Sequence, residues 1–564
     1  LFLLLVVPSA ISASPCDTKG QHPNDPLDVL IIGAGWAGLA AANRLHERST
    51  ASITPFEQQE KDKFCVLEAR HAIGGRSRTE VGALIPDFPT ELGSAWVWPD
   101  SVITDIFREA GLNTGSPSYY DYDSMALYFG PWGGRIDNDK PAYQFLKESY
   151  ENFEGYVDVH ADHDVSVKTL MEQYFAENPD MGNLPRQTIN AILCGTLHSE
   201  YGVYFAEGDS EYLDGRMSPS YSIDLVALPG GGFKHALDYF AAPFLDHIQL
   251  NTQVLEVDYS DSNANDLVKV ISLDRTTNET SVHYARTVVC TVSLGVLQWG
   301  DLHFKPALPA KKAQTIQAMG MGLVNKCVMY WNSTEKDVSW WPDTQDMQLI
   351  TEEEDDSMDW TYFINDQAHE GNEENHILTA WIGGIAADRW ENRTDEETIT
   401  HILKNLRRMF PSPLEVPEPT KFVVTRWKSD PFTRGTYHYH RVGIDTYEGQ
   451  DILAEPVGSK LFFAGEATAE GMSAHTAYWT GDRAIDQILE SGVLDTPITT
   501  FPQPNPICSR SAHVCRLDSD CCAGLQCIQR SMWRETKICT SRTPIVWRDE
   551  EEQQQQISLR GALP

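Results

Sequence analysis

The run Asp28-Val-Leu-Ile-Ile-Gly-Ala-Gly-Trp-Ala-Gly-Leu-Ala-Ala-Ala-Asn-Arg-Leu45 constrains this chain more than any other stretch. Its apolar segment, Val29 to Ile32, reads as a strand that feeds straight into Gly33-x-Gly35-x-x-Gly38, and a helix-forming run follows without a break. Gly33 turns the chain, Gly35 lets a pyrophosphate approach the backbone, and Gly38 lets helix pack on strand. The free N–H groups of the helix start then face the phosphates. Glycines at this spacing say little alone; with the strand before and the helix after, they predict a dinucleotide site in a Rossmann-like α/β domain.

A second strand, Lys63-Phe-Cys-Val-Leu-Glu68-Ala69-Arg70, ends in the acid that such a domain uses for the ribose hydroxyls. The gap from Gly35 exceeds the usual ~20 residues, and the polar stretch His46 to Asp62 is expected to be a loop insertion that absorbs the excess. Behind Glu68 comes His71-Ala-Ile-Gly-Gly75-Arg76-Ser-Arg, a glycine pair with cations for the pyrophosphate.

Composition excludes some classes. With 41% apolar residues the chain is foldable, and its 564 residues suffice for two or three domains. A net charge of -37 argues against nucleic-acid binding, which needs a basic footprint. Leu1 to Val7 followed by the small-residue run Pro8 to Pro15 reads as a secretory signal segment over 1–14, and no other run is long enough for a membrane span. Sequons at Asn278, Asn332 and Asn392 fit the same exported route, so a secreted protein is expected.

The remaining blocks carry a resemblance. Glu91-Leu-Gly93-Ser94-Ala-Trp96, Leu228-Pro-Gly-Gly-Gly232 with Asn251-Thr-Gln-Val254, and Gly320-Met-Gly-Leu-Val-Asn-Lys326 come in that order. They are followed by Arg426-Trp427-Lys-Ser-Asp-Pro-Phe432-Thr-Arg-Gly-Thr-Tyr437 and by Leu461-Phe-Phe-Ala-Gly465-Glu466, with His475-Thr-Ala-Tyr478 behind. Together with the glycine run these resemble the FAD-dependent amine oxidase family, polyamine oxidases in particular. The resemblance implies FAD, held without a covalent link because no cysteine lies in the last block. It implies an α/β Rossmann-like FAD domain built from 28–100, 228–300 and 440–492, interleaved with an α+β substrate domain built from 101–227 and 301–439.

By the same resemblance, Gly93 and Ser94 pass beside the flavin, the Val254 backbone meets adenine, Trp427 lies near the flavin, and Gly465 and Glu466 close the cofactor site. Lys326 would hold a water at the flavin and assist reoxidation by O2. Tyr437 would be an aromatic wall for the amine, with Trp96, Trp98, Ser473 and His475 around it. Two positions depart from the pattern. Polyamine oxidases often carry Glu or His where this chain has Trp98, and some relatives carry a second aromatic wall where it has Ser473. Glu352 to Asp356 and Glu370 to Glu374 are acidic runs that could steer an amine, although such runs are usually solvated loops.

The cysteines fall into two groups. Cys16, Cys65, Cys194, Cys290 and Cys327 are scattered through apolar sequence and are expected to be buried thiols. Cys508, Cys515, Cys521, Cys522, Cys527 and Cys539 crowd into residues 508–539, too small for an apolar core, so disulfides are expected to staple that piece. Spacing leaves fifteen connectivities open, and it lacks the paired C-x2-C of a zinc site, so no metal is expected. A resemblance to knottin modules implies Cys508–Cys522, Cys515–Cys527 and Cys521–Cys539. A Pro/Thr-rich linker (493–507) precedes the module and a polar tail (540–564) follows.

The leading expectation is a secreted polyamine-oxidase-like enzyme acting on a small amine with O2. An L-amino-acid oxidase on the same scaffold stays open, as does a binding or defence protein acting on an unknown target through the cysteine-rich module.

Overall fold

The glycine-rich unit folds as β1 (Leu27–Ile32), α1 (Trp36–Thr50) and β2 (Phe64–Leu67) in the computed structural model. The structure describes residues 16, 20–50, 63–98, 101–112, 114–119, 126–130, 134–136, 141–195, 202–210, 222–226, 232–261, 266–332, 340–341, 346–352, 358–364, 376–411, 415–495, 514–515, 525–529 and 537–541. β1 lies parallel to β2 on one side and to Thr280–Cys290 on the other. Being covered from both edges and both faces, it needs the unbroken apolar run seen in the sequence. A β-carbon on Gly38 would stand 1.9 Å from the Gly33 carbonyl oxygen, so only glycine lets α1 pack this close to the end of β1.

Thr280–Cys290 organises the first sheet. Its N-terminal half pairs antiparallel with Val268–Asp274, which in turn pairs with Thr252–Asp258. Its C-terminal half runs parallel between β1 and Leu461–Phe463. Ile248–Gln249 adds to the outer side of β2, and His303–Lys305 to Thr252–Asp258. The parallel strands therefore end along one edge; Gly33, Glu68 and Thr291 follow those ends directly, and Gly465 comes one residue later. In open α/β sheets this is the edge where ligands bind.

A second, largely antiparallel sheet runs in the order Lys421–Val424, Val324–Trp331, His376–Gly383, Tyr362–Ile364, Asp346–Leu349, Ala126–Phe129, Arg135–Ile136. Helix Asp395–Met409 packs on it, started by a capping box between Thr394 and Glu397, and the shared core holds Trp331, Trp360 and Phe363. Helices Pro141–His160, Val167–Glu177 and Asn183–Leu193 bury Phe153, Leu170 and Ile189 in a further core. Residues 1–504 form one unit and 505–564 another.

Two expectations change. Helix α1 runs on through His46 to Thr50, where a loop was expected. Glu47 and Arg48 are good helix formers, and the hydroxyls of Ser49 and Thr50 donate to the Leu45 and His46 carbonyls, so the polar composition marks a solvated last turn. Cys16 and Cys65 are not free thiols: they form a disulfide that ties Cys16 to β2. Cys194, Cys290 and Cys327 form no disulfide and are buried, as expected.

In the second unit, Val514–Cys515 and Leu525–Gln529 each pair antiparallel with Lys537–Ser541, placing the Cys527 backbone opposite Cys539. Cys508, Cys521 and Cys522 lie outside the described residues, and so does the expected pairing. The signal segment 1–14, most of the linker 493–507 and the acidic runs beyond Glu352 also lie outside them. Among the described residues no helix is long and apolar enough to cross a membrane.

Candidate active site

A cavity of about 300 Å³ opens where the parallel strands end. Most of the residues singled out in the sequence line it: Gly33, Gly35, Glu68, Ala69, Arg70, Gly75, Arg76, Gly93, Ser94, Trp96, Trp98, Val254, Tyr437, Gly465, Glu466, Ser473 and His475. Gly38, Lys326 and Trp427 do not. Gly38 serves the helix–strand contact described above. Trp427, expected near the flavin, is buried in the core of the second sheet, where its backbone carbonyl accepts from the Thr433 hydroxyl.

One part of the cavity is built to bind. Glu68 is buried, with Oε2 accepting the Ala34 N–H at 2.7 Å and Oε1 the Arg70 N–H at 2.8 Å. Burial pushes its carboxyl pKa up, while the two backbone donors and the Arg70 charge pull against that shift. Each oxygen keeps a lone pair for a further donor, such as a ribose hydroxyl. At Gly35 a β-carbon would meet nothing within 4 Å, which leaves open space over the turn for a pyrophosphate. Val254 borders the cavity at an irregularity in the pairing of its strand, between Val254 and Glu256.

Glu466 anchors the middle. Its Oε1 takes the Arg76 guanidinium at 2.8 Å and its Oε2 the His438 Nδ1–H at 2.5 Å. Burial raises its pKa, but His438 and Arg76 outweigh burial and hold the carboxylate down to about 2. On the far side of His438, Nε2 meets the Gln450 amide nitrogen at 2.8 Å, a second contact that fixes the ring that orients Glu466. Arg76 also donates to the Thr436 carbonyl. His438 escaped the sequence reading; the sequence shows only that it follows Tyr437, and the pairing of Met321 with His438 comes from the fold.

The other part is aromatic. Trp96 and Tyr437 pack against one apolar cluster that contains Trp381 and Tyr362. Lys326 lies opposite Trp381 in the second sheet, its Nζ 4.1 Å from the ring centre and donating to the Gly93 carbonyl at 2.6 Å. It is only 3% exposed and touches the cavity wall through Gly93 and Trp381, both of which line it. Trp381 had no signal in the sequence; only strand pairing brings it to Lys326. Ser473 caps helix Ala474–Glu490 by accepting the Thr476 N–H, and its hydroxyl meets His475 Nε2 at 3.1 Å. His475 stands edge-on to Trp98 and Trp479, and burial lowers its pKa to about 4, so it is neutral at physiological pH.

A buried acid at the end of β2, an open glycine turn and a cation-backed carboxylate define the binding half of a dinucleotide-dependent oxidoreductase, and these groups fit a dinucleotide along its length. The chain belongs to the flavin-containing amine oxidoreductases, whose family model matches residues 36–489. Its cofactor is FAD. It is 26% identical to polyamine oxidase 2 of Arabidopsis thaliana over 81% of this chain and 87% of that protein. It is 35% identical to lysine-specific histone demethylase 1 homolog 2 of the same plant, over 82% of this chain and 58% of the relative. With the rice lysine-specific histone demethylase 1 homolog 1 it shares 27% identity over 86% of its own length, about half (54%) of that protein. Among solved structures, wild-type putrescine oxidase bound to putrescine has the same fold, at a TM-score of 0.61 and 20% identity over 82% of this chain and 99% of the other.

Proposed function

We propose that this chain is a secreted amine oxidase of polyamine-oxidase type. It would convert a spermine- or spermidine-class amine, O2 and water into an aldehyde, a smaller amine and hydrogen peroxide. The observation that carries this reading is one cavity with cofactor-holding groups on one part and the Trp96, Tyr437 and Trp381 rings on the other. Bound FAD supplies the hydride acceptor for the carbon next to the amine nitrogen.

The chain's own residues then have separable roles. Glu68 and the Gly35 turn hold the ribose and the pyrophosphate. Arg76 is fixed by Glu466 and presents cationic character to the phosphates. The rings of Tyr437 and Trp381 guide and partly desolvate the amine, because an aromatic face attracts a cation. Lys326 braces the Gly93 carbonyl, and we assign it the reoxidation step on the strength of the family resemblance. Export is supported by the apolar leader with its small-residue run and by the Cys16–Cys65 disulfide, since such bonds persist in oxidising compartments. Asn278, Asn332 and Asn392 are all exposed, as glycan acceptors must be.

A panel of polyamines, monoamines and L-amino acids, read by peroxide release from the flavin-loaded protein, tests this. Turnover is expected on spermine or spermidine above all other compounds. Faster turnover of leucine or phenylalanine would replace the reading by the L-amino-acid oxidase, and a flavin-loaded protein silent on the whole panel would overturn it. Truncation after Val493 tests the cysteine-rich module: unchanged activity leaves the oxidation to the first unit alone.

A further inference from the structure

The segment Asp430 to Tyr437 forms part of the cavity wall through Pro431, Phe432, Thr433, Thr436 and Tyr437. It belongs to neither sheet, and two ion pairs fasten it to loops of the first. Asp430 takes Arg70 at 2.6 Å, with both side chains largely buried at 14% and 15% exposure. Arg434 reaches Asp301 at 2.8 Å and stacks 4.2 Å from the Trp299 ring centre. Between them, Phe432 has the Arg275 guanidinium 4.5 Å and the Arg70 guanidinium 5.6 Å from its ring centre. Arg275 in turn donates to the Ala69 carbonyl, one residue beyond the ribose-holding Glu68.

The backbone of the segment is equally constrained. Arg434 has φ of +56°, a left-handed conformation that costs a non-glycine residue energy and persists only where its surroundings impose it. Those surroundings are the Asp301 and Trp299 contacts, together with the Ser293 hydroxyl donating to the Thr433 carbonyl at 2.6 Å. Further on, the Gly322 N–H donates to the Tyr437 carbonyl at 2.6 Å. One run of eight residues thus joins Arg70, beside the ribose acid, to the aromatic wall.

We propose that Asp430–Tyr437 is a strap in which Asp430, Phe432 and Arg434, paired with Arg70, Arg275 and Asp301, keep the adenosine half of FAD in place and set the position of Tyr437. The strap's residues act through others and are positioning residues. Retention of a non-covalent cofactor and the register of the amine wall then become one property. The inference rests on the cofactor being FAD, not on which amine is oxidised, so it stands or falls separately from the amine panel.

The experiment follows FAD release from the holoenzyme by the rise of free-flavin fluorescence, alongside steady-state kinetics on whichever amine turns over. Asp430→Asn and Asp301→Asn are each expected to release FAD about tenfold faster, the effect of losing one charged hydrogen-bond partner. Each should also raise KM more than it lowers kcat, while Asp430→Glu recovers part of both. Arg275 is exposed, so Arg275→Met keeps the fold and should still speed release about threefold by uncovering Phe432. Release within about twofold of the parent in the Asp430→Asn/Asp301→Asn double variant, at an unchanged melting temperature, overturns the proposal. A lower melting temperature in that variant with unaltered release and KM makes the ion pairs merely structural and overturns it as well.

Discussion

The two parts of the cavity are made differently. The cofactor part consists of glycines, backbone donors and buried charges whose partners are settled within the chain, as with Glu68 between Ala34 and Arg70 or Glu466 between Arg76 and His438. The amine part consists of ring faces, and its polar members, Ser473 and His475, hydrogen-bond to one another at 3.1 Å. The first part recognises a ligand that never varies, and small errors there leave a buried charge unpaired. The second must admit and release a substrate, and aromatic walls tolerate change because their attraction is broad and weakly directional.

Substitutions can break that comparison, the largest effect coming from the cofactor part. Gly38→Val should abolish flavin-loaded protein altogether, because its side chain collides with the Gly33 carbonyl; visible flavin absorbance after purification reports it. Arg76→Met leaves Glu466 buried with one cationic partner fewer, a loss of about 3–5 kcal/mol in holoenzyme stability. Thermal melts with and without added FAD should show it, and Arg76→Lys should recover part. On the amine side, Tyr437→Ala is expected to raise KM about 3- to 30-fold with flavin absorbance unchanged, and Tyr437→Phe far less. An equal loss of flavin in Tyr437→Ala would mean that the two parts are not separable.

Acid should dismantle the parts in sequence. The folded pKa of His475 is about 4 against an ordinary 6.5, so its contribution is complete above pH 6.5 and is lost as pH falls toward 4. Glu466 sits at about 2 against 4.5, so its contribution is complete above pH 4.5 and is lost as pH falls toward 2. The parent curve also carries Asp482, whose carboxyl pKa is pushed up to about 7 by burial and which adds stability as pH falls, so the two groups are read as differences in melting temperature between parent and variant. The difference for His475→Asn should change between pH 6.5 and 4, and that for Glu466→Gln below 4.5.

Much of the cofactor part was legible in the sequence because its elements are local. The turn at Gly33 and the acid at Glu68 each follow a strand within one residue, so apolar runs and glycine spacing expose them. The helical turn His46 to Thr50 was misread because polar composition alone does not distinguish a solvated helix end from a loop. The Cys16–Cys65 bond was missed for another reason: neither cysteine carries any mark of a partner 49 residues away.

By itself, then, the sequence determined that a dinucleotide is bound, since backbone geometry after a strand is written in consecutive residues. Only the tertiary structure decided what surrounds it. His438 under Glu466, Trp381 beside Lys326 and the ion pairs of the Asp430 strap join positions up to 360 residues apart. Such contacts follow from sheet pairing and burial, which no single stretch of chain encodes.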